Sequence, residues 1–288
     1  MHDGTGLRTT VFLKGCPLDC KWCHNPETKS KDIEISLNPK LCIMCGECLT
    51  VCKSGAQIFD GERKIEREKC VACGLCAKAC KVGAISQSGT EMSVDEILNE
   101  VMKDYAFYGE DGGLTVSGGE PVYQQDGLIR LLKKAKEEGL NTCIETSGMF
   151  PEDVVPKLLK YTDLFLYDIK DTDKQRLKEN TGGDFDIIVK NFYELDRHNA
   201  KTVMRCILIP NLNMNNFHLD ELAEIYKKLK NCMYIELLPY HPYGTAKAEN
   251  IGREDVTVYD KPEKDDIIKC AEYLSKKSIP VKCYGSIN

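Results

Sequence analysis

The sequence predicts an α/β chain, a partial (β/α)6 TIM-like barrel that carries a cysteine-rich insert, and three observations predict it. Six short apolar runs alternate with helical patterns, and repeated strand and helix units imply a parallel sheet with right-handed crossovers. Six such units leave a barrel incomplete. Residues 31–90 interrupt the alternation, being poor in aliphatic clusters and holding eight of the sixteen cysteines. The 288 residues therefore divide into one domain made of 1–30 and 91–288 and an insert at 31–90, a choice that length alone leaves open.

Taken in order, the first strand covers 8–14 and runs directly into a cysteine loop. After the insert, Ser93-Val94-Asp95-Glu96 reads as a capping box ahead of Ile97, Leu98, Val101 and Met102 on one helix face. Apolar runs at 114–117, 141–145, 164–168, 203–210 and 234–238 supply the other strands. Helical patterns cover 126–138, 151–160, 186–199, 216–230 and 264–277.

Cys16, Cys20 and Cys23 stand at C-x3-C-x2-C spacing. Electron-carrying four-iron clusters are held by four thiolates, so a set of three leaves one iron open to a substrate or cofactor. A three-cysteine zinc site completed by His24 is the alternative. Within the insert, Cys42, Cys45, Cys48, Cys52 and Cys70, Cys73, Cys76, Cys80 each repeat the C-x2-C-x2-C-x3-C spacing of two-cluster ferredoxins. The repeat has an offset of 28 residues, which also aligns Gly46 with Gly74, Gly55 with Gly83 and Ala56 with Ala84. In such pairs the fourth cysteine ligates the other cluster, giving Cys42, Cys45, Cys48 with Cys80 and Cys70, Cys73, Cys76 with Cys52. Lys53 and Lys81 replace the usual proline, which shapes a turn and ligates nothing. Zinc ribbons pair two C-x2-C knuckles across a longer gap. So small an apolar content cannot hold 31–90 together without iron and sulfide, and the insert is expected to be disordered without them.

The composition excludes several functions. No signal-like apolar stretch opens the chain and no run of eighteen apolar residues occurs, so a reducing cytoplasm is expected and a membrane span is not. A net charge of −6 with dispersed lysines gives no footprint for nucleic acid. Cys143, Cys206, Cys232, Cys270 and Cys283 sit singly among apolar residues and read as small core side chains. His2, His198 and His218 are assigned exposed or capping roles. Without apolar heptads the chain is expected to be a monomer.

In parallel α/β folds, functional groups gather at the carboxyl ends of strands. There lie Cys16, Ser117-Gly118-Gly119-Glu120-Pro121, Glu145-Thr146-Ser147-Gly148, Asp168-Ile169-Lys170 and Pro239-Tyr240-His241. Any one Gly-Gly or Asp-x-Lys is by default a turn or a surface ion pair. Their shared position beside an incomplete cysteine set points to a site.

On these residues the chain resembles the radical S-adenosylmethionine enzymes, and within them the activating enzymes of glycyl radical enzymes. The resemblance rests on Cys16-x3-Cys20-x2-Cys23-His24-Asn25-Pro26, Gly118-Gly119-Glu120-Pro121, Asp168-Ile169-Lys170 and Leu238-Pro239-Tyr240-His241, and runs from His2-Asp3-Gly4 to Gly252. The ferredoxin-like insert resembles one branch, the activators of glycerol or diol dehydratases, choline lyase, hydroxyproline dehydratase, arylacetate decarboxylases and benzylsuccinate synthase. Thr5 stands where the family usually has proline, and the family usually begins further upstream, which implies one more strand before residue 8.

The resemblance implies three [4Fe-4S] clusters, S-adenosylmethionine and a monovalent cation as cofactors. The Cys16 cluster would cleave S-adenosylmethionine to methionine and a 5'-deoxyadenosyl radical, the cofactor carrying the hard chemistry. The radical would abstract hydrogen from a backbone glycine of the partner, a glycyl radical enzyme presenting its glycine-loop domain. Gly118 and Gly119 would let the ligand's amino group approach closely, Glu120 would brace their loop, and Lys170 would meet the methionine carboxylate. Asp168, with Glu145 and Thr146, would accept from the amino group or hold the cation. Ile169 lies between Asp168 and Lys170, His241 resembles an adenosine contact, Trp22 and His24 would pack near adenine, and Arg205 is a candidate for the same pocket. The auxiliary clusters would relay electrons from reduced ferredoxin or flavodoxin, and an open iron implies oxygen sensitivity and an anaerobic host. Two other readings stand beside this one: a radical enzyme that modifies a small molecule or peptide, its auxiliary clusters binding substrate, and a plain electron carrier.

Overall fold

In a computed structural model describing residues 4–254 and 256–283, the elements follow one another as short strands and helices. His2 lies outside the described residues. After β1 (Arg8–Leu13) the chain leaves the main sheet for β2 (Glu34–Leu37), α1 (Glu47–Val51), β3 (Gln57–Asp60), β4 (Glu62–Ile65), α2 (Leu75–Ala79) and β5 (Ile85–Ser88). It returns through α3 (Val94–Met102) to β6 (Gly113–Gly118), α4 (Gln125–Glu137), β7 (Asn141–Thr146), α5 (Val155–Leu159), β8 (Leu164–Asp168), α6 (Lys174–Thr181) and α7 (Phe185–Arg197). The last elements are β9 (Thr202–Leu208), α8 (Asn216–Lys227), β10 (Cys232–Pro239), α9 (Tyr243–Asn250), α10 (Lys264–Ser275) and β11 (Val281–Cys283).

Seven strands form one parallel sheet in the order β1-β6-β7-β8-β9-β10-β11. Each neighbour is the next strand of the sheet in sequence, so every crossover carries its helix over the sheet. Ser93 caps α3 with the reciprocal Glu96 bond, as the local sequence predicts. Six strands are expected in this sheet and, among the described residues, seven are found. The additional one, β11, is three residues long and follows Pro280 at the sheet edge, too short for a periodic signal. The expected helix at 151–160 begins with a 3-10 turn before α5.

Strand side chains alternate between faces, and here the two faces have different fates. Phe165 and Tyr167 of β8, with Met204, Cys206 and Leu208 of β9, join the large core under the helices. Tyr167 stacks on Phe192 of α7 at 4.2 Å between ring centroids and donates to the Ile188 carbonyl at 2.6 Å. On the other face, Cys143, Leu164, Leu166 and Val203 form a small apolar floor. One step further along the same face come Glu145, Asp168 and Arg205, so the floor gives way to charge at the strands' carboxyl ends.

Residues 31–90 pack separately as two antiparallel pairs, β2 with β5 and β3 with β4, around Ile35, Leu37, Ile85, Cys48 and Cys76. The duplication is visible in the backbone: Gly46 and Gly74 precede α1 and α2 at φ of 80° and 76°. Arg67 ties this unit to the rest by donating to the Asn250 carbonyl at 3.0 Å. Among the described residues, no helix is long and apolar enough to cross a membrane.

The remaining cysteines and histidines divide. Cys143, Cys206 and Cys232 are buried as expected, whereas Cys270 and Cys283 are only half-buried because they lie on the peripheral α10 and edge strand β11. His198 is exposed at the end of α7. His218 is not exposed: it is wholly buried, with Nδ1 2.7 Å from Thr172 Oγ1 and Nε2 3.0 Å from Cys206 Sγ. Only its backbone takes the capping role, donating to Asn215 Oδ1 at 3.0 Å. It shares the buried stripe of α8 with Leu222 and Ile225, one and two turns on.

Burial depresses the His218 pKa to about 4, against the pull of Asp171. The unfolded chain therefore takes up a proton near pH 6.5 that the native chain refuses until about pH 4. The stability this represents, on the order of 3 kcal/mol, is complete above the unfolded pKa and lost as pH falls through that window. Denaturant midpoints measured across it fall in the native sequence and fall less in His218→Gln.

Candidate functional site

The sequence motifs meet in a cavity of about 610 Å³ at the carboxyl ends of the sheet strands. Its walls include Cys16, Cys20, Cys23, Trp22 and His24 from the loop after β1, and Gly118 and Gly119 at the end of β6. Thr146, Asp168, Ile169, Lys170, Arg205 and His241 complete the set named from sequence. Glu120 is the exception, for its carboxylate does not line the cavity.

The cysteine loop is stapled on three sides. Gly15 N–H donates to Thr28 O at 2.7 Å and Cys16 N–H to Lys29 O at 3.0 Å. Gly119 N–H donates to Leu13 O and Glu120 N–H to Gly15 O, each at 2.9 Å, while Asp19 and Lys21 bond the carbonyls of Thr181 and Asn180 at the end of α6. A Cβ at Gly118 or Gly119 would overlap the Leu13 or Gly15 carbonyl. The two glycines are thus required first by the approach of their own chain to the cysteine loop, a reason additional to the ligand approach expected from sequence. Gly118 also has φ of 116°, which other residues rarely adopt.

Burial pushes the Cys16 thiol up to about 11 and the Cys20 thiol to about 12, so neither is a ready nucleophile. A coordinated metal removes the thiol proton outright, and this donor set suits one. Among the described residues, no three Cys, His, Asp or Glu groups converge as ligands of a single ion. In a four-iron cluster each thiolate takes its own iron, so its sulfurs surround a core and need not converge on a point.

Charge is arranged in a row across the sheet. Asp168, Arg205 and Glu236 are register neighbours on β8, β9 and β10. Arg205, only 6% exposed, has Nη1 at 3.0 Å from Glu145 and Nε at 3.5 Å from Glu236 and 3.7 Å from Asp168. Ser117 donates to Glu145 at 2.7 Å and Lys170 to Asp168 at 2.8 Å. Burial opposes the Lys170 charge, but the Asp168 carboxylate beside it outweighs this and holds the ammonium's pKa above the ordinary lysine value. Burial likewise lifts the Glu236 carboxyl despite Arg205. Thr146 donates to Glu120 at 2.8 Å and accepts from Gly148 N–H at 3.0 Å. All three groups named for a cation, Glu145, Thr146 and Asp168, therefore have partners within the chain.

An aromatic wall closes the other side. The His24 and His241 rings meet edge to face at 4.4 Å, and Tyr243 lies 4.4 Å from His241. Burial and the neighbouring His241 depress the His24 pKa to about 4, and burial lowers that of His241, so both present neutral rings. Trp22 Nε1 and His241 Nδ1 are buried with no hydrogen-bond partner among the described residues. Unpartnered buried polar atoms are costly, and these two border a cavity large enough for a nucleoside.

Glu236 and Tyr243 were missed in the sequence. Glu236 carries a readable signal, a lone carboxylate within the apolar run Tyr234 to Leu238. Tyr243 carries none.

In the 31–90 unit, Cys42, Cys45, Cys48 and Cys80 line a second cavity of about 190 Å³, the crossed grouping expected from the spacing. Cys70 and Cys52 are electrostatic neighbours of Cys76. None of the eleven cysteines in the three sets is in a disulfide.

The sequence profile of the radical SAM superfamily matches residues 10–229. The chain is 39% identical to the choline trimethylamine-lyase activating enzyme of Oleidesulfovibrio alaskensis, over 88% of this chain and 84% of that protein. It is 37% identical to the benzylsuccinate synthase activating enzyme of Thauera aromatica, over 100% and 90%, and 40% identical to the trans-4-hydroxy-L-proline dehydratase activating enzyme of Clostridioides difficile, over 87% and 84%. Its fold is similar to a domain of pyruvate-formate lyase-activating enzyme from Bacteroides vulgatus, with a TM-score of 0.52 and 22% identity over 60% of this chain and 99% of that one. It is also similar to Streptococcus suis SuiB, with a TM-score of 0.60 and 13% identity over 98% of this chain and 51% of that one.

Glu120 is 1% exposed and accepts from Ser147 Oγ at 2.6 Å, Thr146 Oγ1 at 2.8 Å, Ser147 N–H at 2.9 Å and Val122 N–H at 3.3 Å. Truncation in Glu120→Ala strands these buried donors, at about 1–3 kcal/mol for each left unsatisfied. The expected result is a lower denaturant midpoint, with amide exchange at Ser147 accelerated more than exchange in α7.

Proposed function

The chain belongs to the radical SAM superfamily, among the activating enzymes of glycyl radical enzymes, and from that premise we propose how its own residues perform the activation. When bound at Cys16, Cys20 and Cys23, a [4Fe-4S] cluster supplies the electron that cleaves S-adenosylmethionine to methionine and the 5'-deoxyadenosyl radical, which takes hydrogen from a backbone glycine of the partner enzyme. The protein's part is to bind, orient and exclude water.

The observation that carries this reading is the charge row beside an incomplete thiolate set. Glu145, Asp168 and Glu236 face Arg205 and Lys170, leaving one negative charge in excess. S-adenosylmethionine free in solution, with a sulfonium and an ammonium against one carboxylate, carries the complementary net charge, and the ammonium would give up a proton where its nitrogen takes the open iron. Lys170 meets the carboxylate and Asp168 accepts from an N–H of the amino group. Trp22, His24 and His241 form the nucleoside wall, where neutral aromatic faces stack on adenine. Ile169 and the backbone of Gly118 and Gly119 line the space between, and Glu120 keeps the Thr146 loop in place from behind. A monovalent cation would have to share Glu145 and Asp168 with Arg205, whose guanidinium already faces both.

Residues 31–90 are read as a ferredoxin-like unit with two further [4Fe-4S] clusters, on Cys42, Cys45, Cys48 and Cys80 and on Cys70, Cys73, Cys76 and Cys52. They relay electrons from a reduced ferredoxin or flavodoxin, and the enzyme works as a monomer in a reducing, anaerobic cytoplasm. Its partner presents a glycine loop. Modification of a small molecule or peptide is disfavoured because the unit lies between β1 and α3, before most of the sheet is formed.

Anaerobic incubation with S-adenosylmethionine and dithionite is expected to yield 5'-deoxyadenosine from the native protein and none from Cys20→Ala. Lys170→Ala should raise KM for S-adenosylmethionine roughly tenfold to a hundredfold, the range for one charge-assisted hydrogen bond. With a partner enzyme present, electron paramagnetic resonance should show a glycyl doublet. Release of 5'-deoxyadenosine without that doublet, but with a modified small molecule or peptide, would favour the other radical reading.

A further inference from the structure

The two cysteine sets of the 31–90 unit are duplicates in spacing and backbone, yet one has a partner that the other lacks. Arg63, on β4, is only 7% exposed and donates from Nη2 to Cys48 Sγ at 2.8 Å. The same guanidinium is fixed by the Gln57 side chain and by the carbonyls of Ile58 and Lys64, at 2.5 Å and 3.2 Å for the latter two. Among the described residues it has no carboxylate partner. The residue 28 positions later, where the duplication would put a second arginine, is Glu91, which is exposed. Gln57 is replaced by Ile85 in the same comparison. Arg67 does stand near Cys70, but it has Glu34 beside it and spends its donors on the carbonyls of Ile35 and Asn250.

We propose that Arg63 makes the two auxiliary clusters unequal, raising the reduction potential of the one held by Cys42, Cys45, Cys48 and Cys80 above that of its duplicate. This rests on the reading that residues 31–90 hold two clusters. Reduction adds one negative charge, and a buried cation with an N–H on a ligand sulfur stabilises that charge. The step is a one-electron transfer: a reduced ferredoxin or flavodoxin is oxidised by one electron and this cluster gains it, with no bond broken and no proton moved. An electron entering the unit then rests first on the Arg63 cluster. Duplication supplied two identical holders, and one buried arginine orders them. Arg63 acts through Cys48 and is a tuning residue, in contact with no substrate.

The test uses the full chain reconstituted anaerobically with iron and sulfide, carrying Cys16→Ala, Cys20→Ala and Cys23→Ala so that only the auxiliary clusters report. Redox titration followed by electron paramagnetic resonance should show two separate midpoints, with Cys45→Ser identifying the signal of the first set. Arg63→Met should move only that signal to lower potential, by tenfold or more in its reduction equilibrium, which is 59 mV for one electron. Arg63→Lys should restore part of the shift. Resonance Raman bands of one cluster should shift in deuterated buffer, a measurement on the native residue that requires no stable Arg63 variant. Coincident midpoints, an equal shift of both signals, or iron–sulfur bands insensitive to deuterium would overturn the proposal. Iron and sulfide short of two clusters would overturn instead the reading on which it rests.

Discussion

A buried guanidinium among three carboxylates sets the terms for the rest of the molecule. Arg205 reaches Glu145, Asp168 and Glu236 only because β7, β8, β9 and β10 are parallel and in a register that brings those side chains to one face, Asp168 and Glu236 level with it and Glu145 two residues before that level. A slip of one residue would send them all into the apolar core under the helices. Burying charges is costly unless they are paired, and Arg205 with Lys170 at the row's end offsets all but one of its three negative charges. The sheet is therefore a device for holding a charged edge, and its apolar floor of Cys143, Leu164, Leu166 and Val203 supports that edge from below.

The cysteine loop depends on the same edge. It is bound to the backbone after β6 through Leu13, Gly15, Gly119 and Glu120, and to the end of α6 through Asp19 and Lys21. Glu120 then links β6 to the Thr146 loop. Three thiols, a lysine and a neutral histidine pair thus reach one cavity through hydrogen bonds between successive units, which makes the site rigid before any ligand enters. Rigidity matters because the protein contributes positioning to chemistry that a cofactor supplies.

Much of this was legible in the sequence, for physical reasons that differ by element. The inner strands are largely buried on both faces and appear as mostly apolar runs, and Ser93 with Glu96 announces α3. The loop motifs could be placed because they follow those runs directly. What escaped lacked a periodic signal: β11 has three residues after a proline, and α6 is mostly polar. The strands of 31–90 were hidden because closely spaced cysteines and turns dominate that stretch. His218 was misjudged as a polar residue near a helix start, although its spacing to Leu222 and Ile225 puts it on the buried face. Arg205 and Glu236 each sit alone in apolar strands. Their pairing across β9 and β10 is a matter of register that no single strand reports.

One vacancy is central: an iron of the Cys16 cluster that would be left without a protein sulfur and taken by the amino acid end of S-adenosylmethionine. Electron-nuclear double resonance on the reduced holoprotein, with the methionine amino nitrogen or carboxylate oxygen isotopically labelled, tests it most directly. Strong hyperfine coupling of those nuclei to the cluster, absent when Cys20 is replaced, is the predicted result. Label atoms uncoupled from any cluster in a protein that still binds the labelled molecule would contradict it.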